Sequence, residues 1–269
     1  MFDSGVGGLT VLRALRTALP RERFMYLGDT ARLPYGTKSA QSVVRYSMQA
    51  AEALVQRRIK CLVIACNTAS AVALPALCDR FAPLPVIGVI EPGAQAACAA
   101  SQSGRIAVIA TEGTVQGGAY QRAIHAIRPD ARVIAQACSL FVALAEEGWT
   151  EGPLIEGIVR RYFDPIFAVP REQHPDCLVL GCTHFPVLKG VMHDVVGSDV
   201  AIVDSAQTTA GAVRDLLAGR RLATDALATD DGSARVQLMA TDGRERFARV
   251  SSTFFGSSVR PENVELVDL

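Results

Sequence analysis

The chain has 269 residues, 49% of them hydrophobic and 20% charged, and its formal net charge is zero. That length holds one large domain or two of ordinary size. The balanced charge, with neither a basic stripe nor an acidic block, argues against nucleic acid or a membrane surface as partner. The start, Met1-Phe2-Asp3-Ser4-Gly5, lacks the basic and apolar regions of a signal peptide. The apolar runs fall far short of the ~20 residues a spanning helix needs. A cytoplasmic location is therefore expected.

In chain order, the first helix-length pattern covers 10–19 and is stopped by Pro20. A strand follows at 24–27, a helix at 40–58, and strands at 61–65, 86–90 and 105–110. Beyond them come a helix at 117–127, a strand at 132–137, a helix at 152–163, strands at 177–180 and 201–203, and a helix at 205–217. Strands that read as continuous Val/Ile/Leu runs are buried on both faces, which belongs to parallel sheets. The alternation with helices predicts an α/β fold with mainly parallel sheets, whose ligands sit at the carboxyl ends of the strands. Residues 219–233, small, polar and acidic, read as a surface loop.

One segment occurs twice. Cys61-Leu62-Val63-Ile64-Ala65-Cys66-Asn67-Thr68 matches Cys177-Leu178-Val179-Leu180-Gly181-Cys182-Thr183-His184, with four of eight positions identical and two more conservative. Each copy is a buried strand ending in a cysteine. Upstream, Asp3-Ser4-Gly5 with Gly7-Gly8 and Thr111-Glu112-Gly113 with Gly117-Gly118 stand at comparable distances. The chain therefore reads as two similar α/β halves. Related by a pseudo-twofold axis, they would bring Cys66 and Cys182 to one cleft.

The seven cysteines include no Cys-x-x-Cys, so neither a disulfide framework nor a zinc site is indicated. Cys61 and Cys66, like Cys177 and Cys182, are five apart on a strand; about 16 Å separates them, on opposite faces. A strand-end thiol near a helix N-terminus is expected to favour thiolate, and His184 is a candidate proton partner for Cys182. Three chemistries compete. Cys–His nucleophilic catalysis, as in amidohydrolases, leaves Cys66 idle. A dinucleotide enzyme would use Gly5-Val6-Gly7-Gly8 and Asp29, but the spacing is not Gly-x-Gly-x-x-Gly. A two-base reaction, in which one thiolate removes a proton and the other thiol returns one to the opposite face, needs both cysteines. For such a reaction Ser4, Thr68 and Thr183 suit substrate carboxylates and Asp3 suits an ammonium group. Only three lysines occur, Lys38, Lys60 and Lys189, which disfavours pyridoxal phosphate. No cofactor and no metal are expected. A degenerate binding protein is the non-enzymatic alternative, and two intact cysteines argue against it.

Several segments together resemble the bacterial glutamate racemases of the cofactor-independent aspartate/glutamate racemase family. They are Phe2-Asp3-Ser4-Gly5-Val6-Gly7-Gly8-Leu9-Thr10-Val11, Gly28-Asp29-Thr30 with Leu33-Pro34-Tyr35-Gly36, and Ala65-Cys66-Asn67-Thr68-Ala69. Gly88-Val89-Ile90-Glu91-Pro92-Gly93, Ala110-Thr111-Glu112-Gly113-Thr114, Gly181-Cys182-Thr183-His184-Phe185-Pro186 and Val203-Asp204-Ser205-Ala206 extend the set to Ala206, and the tail from Arg246-Phe247 to Val267-Asp268 resembles the family too.

The resemblance implies two α/β domains, 1–92 with 205–269 and 93–204, with the active site between them. It implies interconversion of L- and D-glutamate, with D-glutamate feeding peptidoglycan synthesis. Cys182 would deprotonate the L-enantiomer and Cys66 the D-enantiomer. Asp3 would assist Cys66, and His184 and Glu146 would assist Cys182. Substrate contacts would come from Asp3, Ser4, Tyr35, Gly36, Asn67, Thr68, Thr111, Thr183 and His184. Aspartate and hydantoin racemases are the nearest alternatives, and a homodimer is among the assemblies left open. Two features depart from the pattern. Ser139 and Ala143 stand where the family usually has prolines. The first strand has almost no residues ahead of Phe2, which predicts a mobile terminus and a weakened sheet.

Overall fold

The computed structural model of the protein describes residues 1–224 and 236–269. Two all-parallel sheets organise the chain. The first runs β10-β9-β2-β1-β3-β4 and combines both chain ends: β1 (Phe2–Asp3), β2 (Phe24–Gly28), β3 (Leu62–Ile64), β4 (Val86–Gly88), β9 (Val236–Ala240) and β10 (Val264–Leu266). The second runs β6-β5-β7-β8: β5 (Arg105–Ala110), β6 (Arg132–Ala137), β7 (Cys177–Gly181) and β8 (Ala201–Asp204). The orders β2-β1-β3-β4 and β6-β5-β7-β8 are the same path drawn twice, and β3 and β7, the strands of the repeated cysteine segment, take the same place in each.

Helices cover the sheets because their apolar residues recur on one face. In α1 (Leu9–Ala18) that face is Leu9, Val11, Leu12 and Leu15, all buried, with Arg13 outward. Ser39 caps α2 (Ala40–Val55) by accepting from Ser42 N, and Asp204 caps α10 (Ser205–Gly219) by accepting from Ala206 N and Gln207 N. The remaining helices are α3 (Asn67–Phe81), α4 (Ile90–Ala100), α5 (Glu112–Gly117), α6 (Ala119–Ile127), α7 (Leu140–Glu146), α8 (Pro153–Phe167), α9 (Lys189–Val196) and α11 (Arg244–Phe255). Among the described residues no helix is long and apolar enough to cross a membrane.

The differences from the predicted elements have local causes. The helix expected at 117–127 begins instead at Ala119, behind a separate short helix at Glu112–Gly117, because Gly118 takes φ +62° between them. The strand expected to reach residue 90 stops at Gly88, since α4 starts at Ile90. The loop expected at 219–233 lies mostly outside the described residues; within them, Gly219 still belongs to α10.

The terminus is not loose. Met1, Phe2 and Asp3 are buried. The Met1 amine donates to Met25 O at 2.7 Å, Leu27 N donates to Met1 O at 3.0 Å, Ala65 N to Phe2 O at 2.9 Å and Asp29 N to Asp3 O at 3.0 Å. Two strand residues are thus held on both sides, as in a full parallel strand. Burial lowers the amine to about 5, so it is uncharged at neutral pH. Ahead of Met1, between β2 and β3, lies a groove of about 820 Å³ lined by Met1, Leu15, Leu19, Phe24, Met25 and Cys61 among others. An apolar extension of about four to seven residues ahead of Phe2, a usual strand length, is expected to fill this groove and lengthen β1. The melting temperature should then rise, as read by calorimetry; an extension that leaves it unchanged means the clasp on residues 1–3 already suffices.

Candidate active site

The loops after β1, β3, β5 and β7 converge at the carboxyl ends of the two sheets. They approach closely because the loop after β1 carries no side chain where it meets its neighbours. A Cβ on Gly7 would lie 2.4 Å from His184 Nδ1 and 2.5 Å from Thr183 Oγ1, and one on Gly8 would lie 2.6 Å from Asp3 Cβ. Thr10 Oγ1, at the second position of α1, donates to Thr183 O at 3.0 Å and ties the two loops together. On the other flank Gly36, with Thr111 Cβ 2.8 Å from where its own Cβ would stand, lets the Tyr35–Thr37 turn press on the loop after β5.

Cys66 and Cys182 end equivalent strands and are both buried. They are near enough that negative charge on Cys182 disfavours ionising Cys66. Their surroundings differ. Cys66 is the N-cap of α3: its Sγ accepts from Ala69 N at 3.5 Å and donates to Ser4 Oγ at 3.6 Å. Burial, then the Asp3 charge, push its thiol up to about 12 against those bonds. This reverses the expectation of a thiolate favoured by a helix N-terminus, because desolvation outweighs the backbone donor.

Cys182 is followed by a 3-10 turn, Phe185–Leu188, and α9 begins only at Lys189, so no α-helix starts on this thiol as the sequence suggested. Its partner is His184, with Nδ1 3.8 Å from Sγ. His184 Nε2 lies 3.0 Å from Glu146 Oε1, and the other oxygen of Glu146 accepts from Arg246 Nη2 at 2.7 Å. Burial alone would lower the His184 value, but the bonds to Cys182 and Glu146 outweigh it and raise it to about 10. Glu146 moves the other way: burial raises it, and His184 and Arg246 bring it down to about 2. The two form an imidazolium–carboxylate pair, so Glu146 joins the site although Ser139 and Ala143 replace the usual prolines.

Among the described residues, Asp3 Oδ1 and Asn67 Nδ2 are buried with no hydrogen-bond partner. Such orphans cost about 1–3 kcal/mol each unless a ligand takes them up. Asp3 Oδ2 accepts from Gly5 N at 3.0 Å, and burial raises the carboxyl, partly offset by His184 and backbone N–H groups. Asn67 Oδ1 accepts from the Tyr120 hydroxyl at 2.7 Å, which leaves the amide nitrogen free. The Thr68, Thr111 and Thr114 hydroxyls form a triangle with sides of 3.0, 3.1 and 3.1 Å.

Of the sequence-selected residues, Asp3, Ser4, Asn67, Thr68, Thr111, Thr183, His184 and Glu146 therefore gather around Cys66 and Cys182. Tyr35 is buried with its hydroxyl bonded to Asp29, so only the backbone of its turn borders Thr111. Asp29 is a buried hub that also takes Arg32 Nε at 2.7 Å and Thr241 Oγ1 at 3.0 Å, which leaves it unavailable as a ribose ligand. Sequence reasoning missed Tyr120, Arg246 and Phe254. No spacing marks them, since they reach the site from α6 and α11.

The sequence profile of the Asp/Glu/Hydantoin racemases matches residues 9–213. The chain belongs to that racemase family. It is 48% identical over 259 residues to the glutamate racemase of Geobacter metallireducens, covering 96% of this chain and 93% of that one. Its structure superposes on the Bacillus anthracis glutamate racemase isoform RacE1 with a TM-score of 0.91 at 34% identity, covering 100% of this chain and 96% of the other. The Francisella tularensis glutamate racemase in complex with D-glutamate gives a TM-score of 0.88 at 31% identity, covering 99% and 95%.

For this racemase-family site the close approach at Gly7 is a direct test. Gly7→Ala forces His184 and Thr183 apart and is expected to destabilise the fold by about 1–3 kcal/mol in denaturant unfolding. The Glu146–His184 pair sets a pH window. His184 gains its partner on folding, so its contribution is complete below about 6.5 and lost as pH rises through about 10. Glu146 is depressed, so its contribution is complete above about 4.5 and lost as pH falls through about 2. The melting-temperature gap between wild type and Glu146→Gln should be widest between those inner limits and narrow on both sides, measured by calorimetry across pH.

Proposed function

We propose that the chain is a cofactor-independent glutamate racemase whose acid and base are Cys66 and Cys182. One observation carries this reading: two buried thiols end strands at the same place in the two sheets, lie within electrostatic range of one another, and sit in different electrostatic settings. Beside Cys182 stands the His184 ring, held by Glu146 and placed to share a proton with the thiol, while burial and the Asp3 charge make the Cys66 proton hard to remove. That arrangement suits L-glutamate. The Cys182 thiolate takes the α-proton, the C–H electron pair passes into the α-carbon and its carboxylate, and Cys66 S–H returns a proton to the opposite face. The product is D-glutamate, with the proton now on Cys182 and the charge on Cys66; the reverse reaction starts there.

The orphaned groups suit an amino acid. Asp3 Oδ1 takes the ammonium group, and Asn67 Nδ2 with the Thr68, Thr111 and Thr183 hydroxyls and Ser4 takes the carboxylates. The Tyr35–Gly36 turn borders the pocket by its backbone. Residues 1–92 with 205–269 act as one lobe and 93–204 as the other. Support for glutamate as substrate comes from the relatives named above, which are glutamate racemases. D-Glutamate would supply peptidoglycan synthesis in the cytoplasm. A Cys–His amidohydrolase leaves Cys66 without work, and nothing in the site favours it.

Chiral chromatography of L-glutamate, L-aspartate and a hydantoin, each incubated with cofactor-free protein, tests the reading. L-Glutamate should racemise with the highest specificity constant. Cys66→Ser and Cys182→Ser should each lose several orders of magnitude, because a hydroxyl is a far weaker acid than a thiol. Full activity in either variant removes the two-base mechanism, and equal turnover of L-aspartate removes the assignment of substrate.

A further inference from the structure

Helix α11 belongs to the first sheet: its Phe247, Val250 and Phe254 lie in the same apolar cluster as Tyr26 of β2 and Leu238 of β9. Two of its side chains nevertheless meet the groups beside Cys182, which hangs from the second sheet. Arg246 donates to Glu146 Oε2 at 2.7 Å, and the Phe254 ring stands edge-on to His184, with centroids 5.0 Å apart and planes at 75°. Ala145, the neighbour of Glu146 on α7, is buried in that same first-sheet cluster. Both oxygens of Glu146 are committed, one to His184 and one to Arg246.

This geometry has a consequence for the imidazole. A carboxylate held at one oxygen only can swing about its side-chain torsions, and the ring it bonds swings with it. Held at both, it fixes the ring, and so fixes how Nδ1 faces Cys182 Sγ. Arg246 is half exposed, with 48% of its side-chain surface accessible, whereas Glu146 is only 12% exposed. An exposed arginine contributes little to stability as an ion pair; its effect here lies in where it holds its partner.

We propose that Arg246 is a positioning residue for the reaction: reaching across from the first sheet, it locks Glu146, and through Glu146 it aims His184 at Cys182. The proposal rests on the racemase reading for its kinetic consequence but not for its structural one. It makes closure of the cleft and alignment of the Cys182 proton partner a single event, since α11 comes from one side and the relay from the other.

The test uses the full chain with Arg246→Ala and Arg246→Lys, and two readouts. The first is alkylation by iodoacetamide, resolved by peptide mass spectrometry, with exposed Cys78 as reference and buried Cys138 and Cys177 as reporters of global opening. The second is kcat and KM for L-glutamate. In Arg246→Ala, Cys182 alkylation and kcat are each expected to fall about tenfold, equivalent to about 1.4 kcal/mol, with KM and core-cysteine alkylation unchanged. Arg246→Lys, and added guanidinium ion with Arg246→Ala, should restore part of both. Should Arg246→Ala not fold, Arg246→Gln, which keeps the side-chain stem, takes its place. Wild-type Cys182 reactivity in the variant overturns the proposal. So does a parallel rise at Cys138 and Cys177, which would make Arg246 a simple staple. A wild-type chain that does not racemise glutamate overturns the racemase reading, and the alkylation ratio still decides the role of Arg246.

Discussion

The site depends on a contact that only a bare backbone can make. Gly7 stands where any side chain would overlap the His184 ring and the Thr183 hydroxyl. Because it has none, the loop after β1 and the loop after β7 close on each other, and Thr10 bonds across to Thr183 O. Every other feature of the cleft follows from that approach. Asp3 reaches the neighbourhood of His184, the two strand-end thiols come within electrostatic range, and α11 can touch Glu146 and His184 from the far side.

Two residues of one type, placed by one repeated path, end up chemically different. Cys66 is surrounded by a buried carboxyl, a serine hydroxyl and a backbone N–H, and its proton is hard to remove. Cys182 faces an imidazole whose other nitrogen is held by the largely buried Glu146 carboxylate. The asymmetry is one of environment alone, so on the two-base reading proposed above the two thiols enter the reaction unequally prepared.

Much of this was legible in the sequence. The repeated strand–cysteine segment foretold two sheets that share one strand order, β2-β1-β3-β4 and β6-β5-β7-β8, and continuous Val/Ile/Leu runs foretold their parallel pairing. What stayed hidden depends on balances and long-range contacts. That a cysteine caps a helix follows from its position, but whether its thiol ionises depends on burial against bond donors, and here burial won. Arg246 and Phe254 lie far along the chain from Glu146 and His184, so no local pattern could join them. The grip on Met1–Asp3 comes from strands already in place on either side, which a count of residues before Phe2 could not reveal.

The capping role of Cys66 has a further meaning. Serine, threonine, aspartate and asparagine are the residues that begin helices well, and a cysteine is not among them. By keeping a thiol at the head of α3, the chain forgoes a stronger start for one of its central helices. Selection for thermal endurance alone would therefore favour serine at residue 66, which begins a helix more strongly; on the two-thiol reading proposed above, the same change removes one of the two acids.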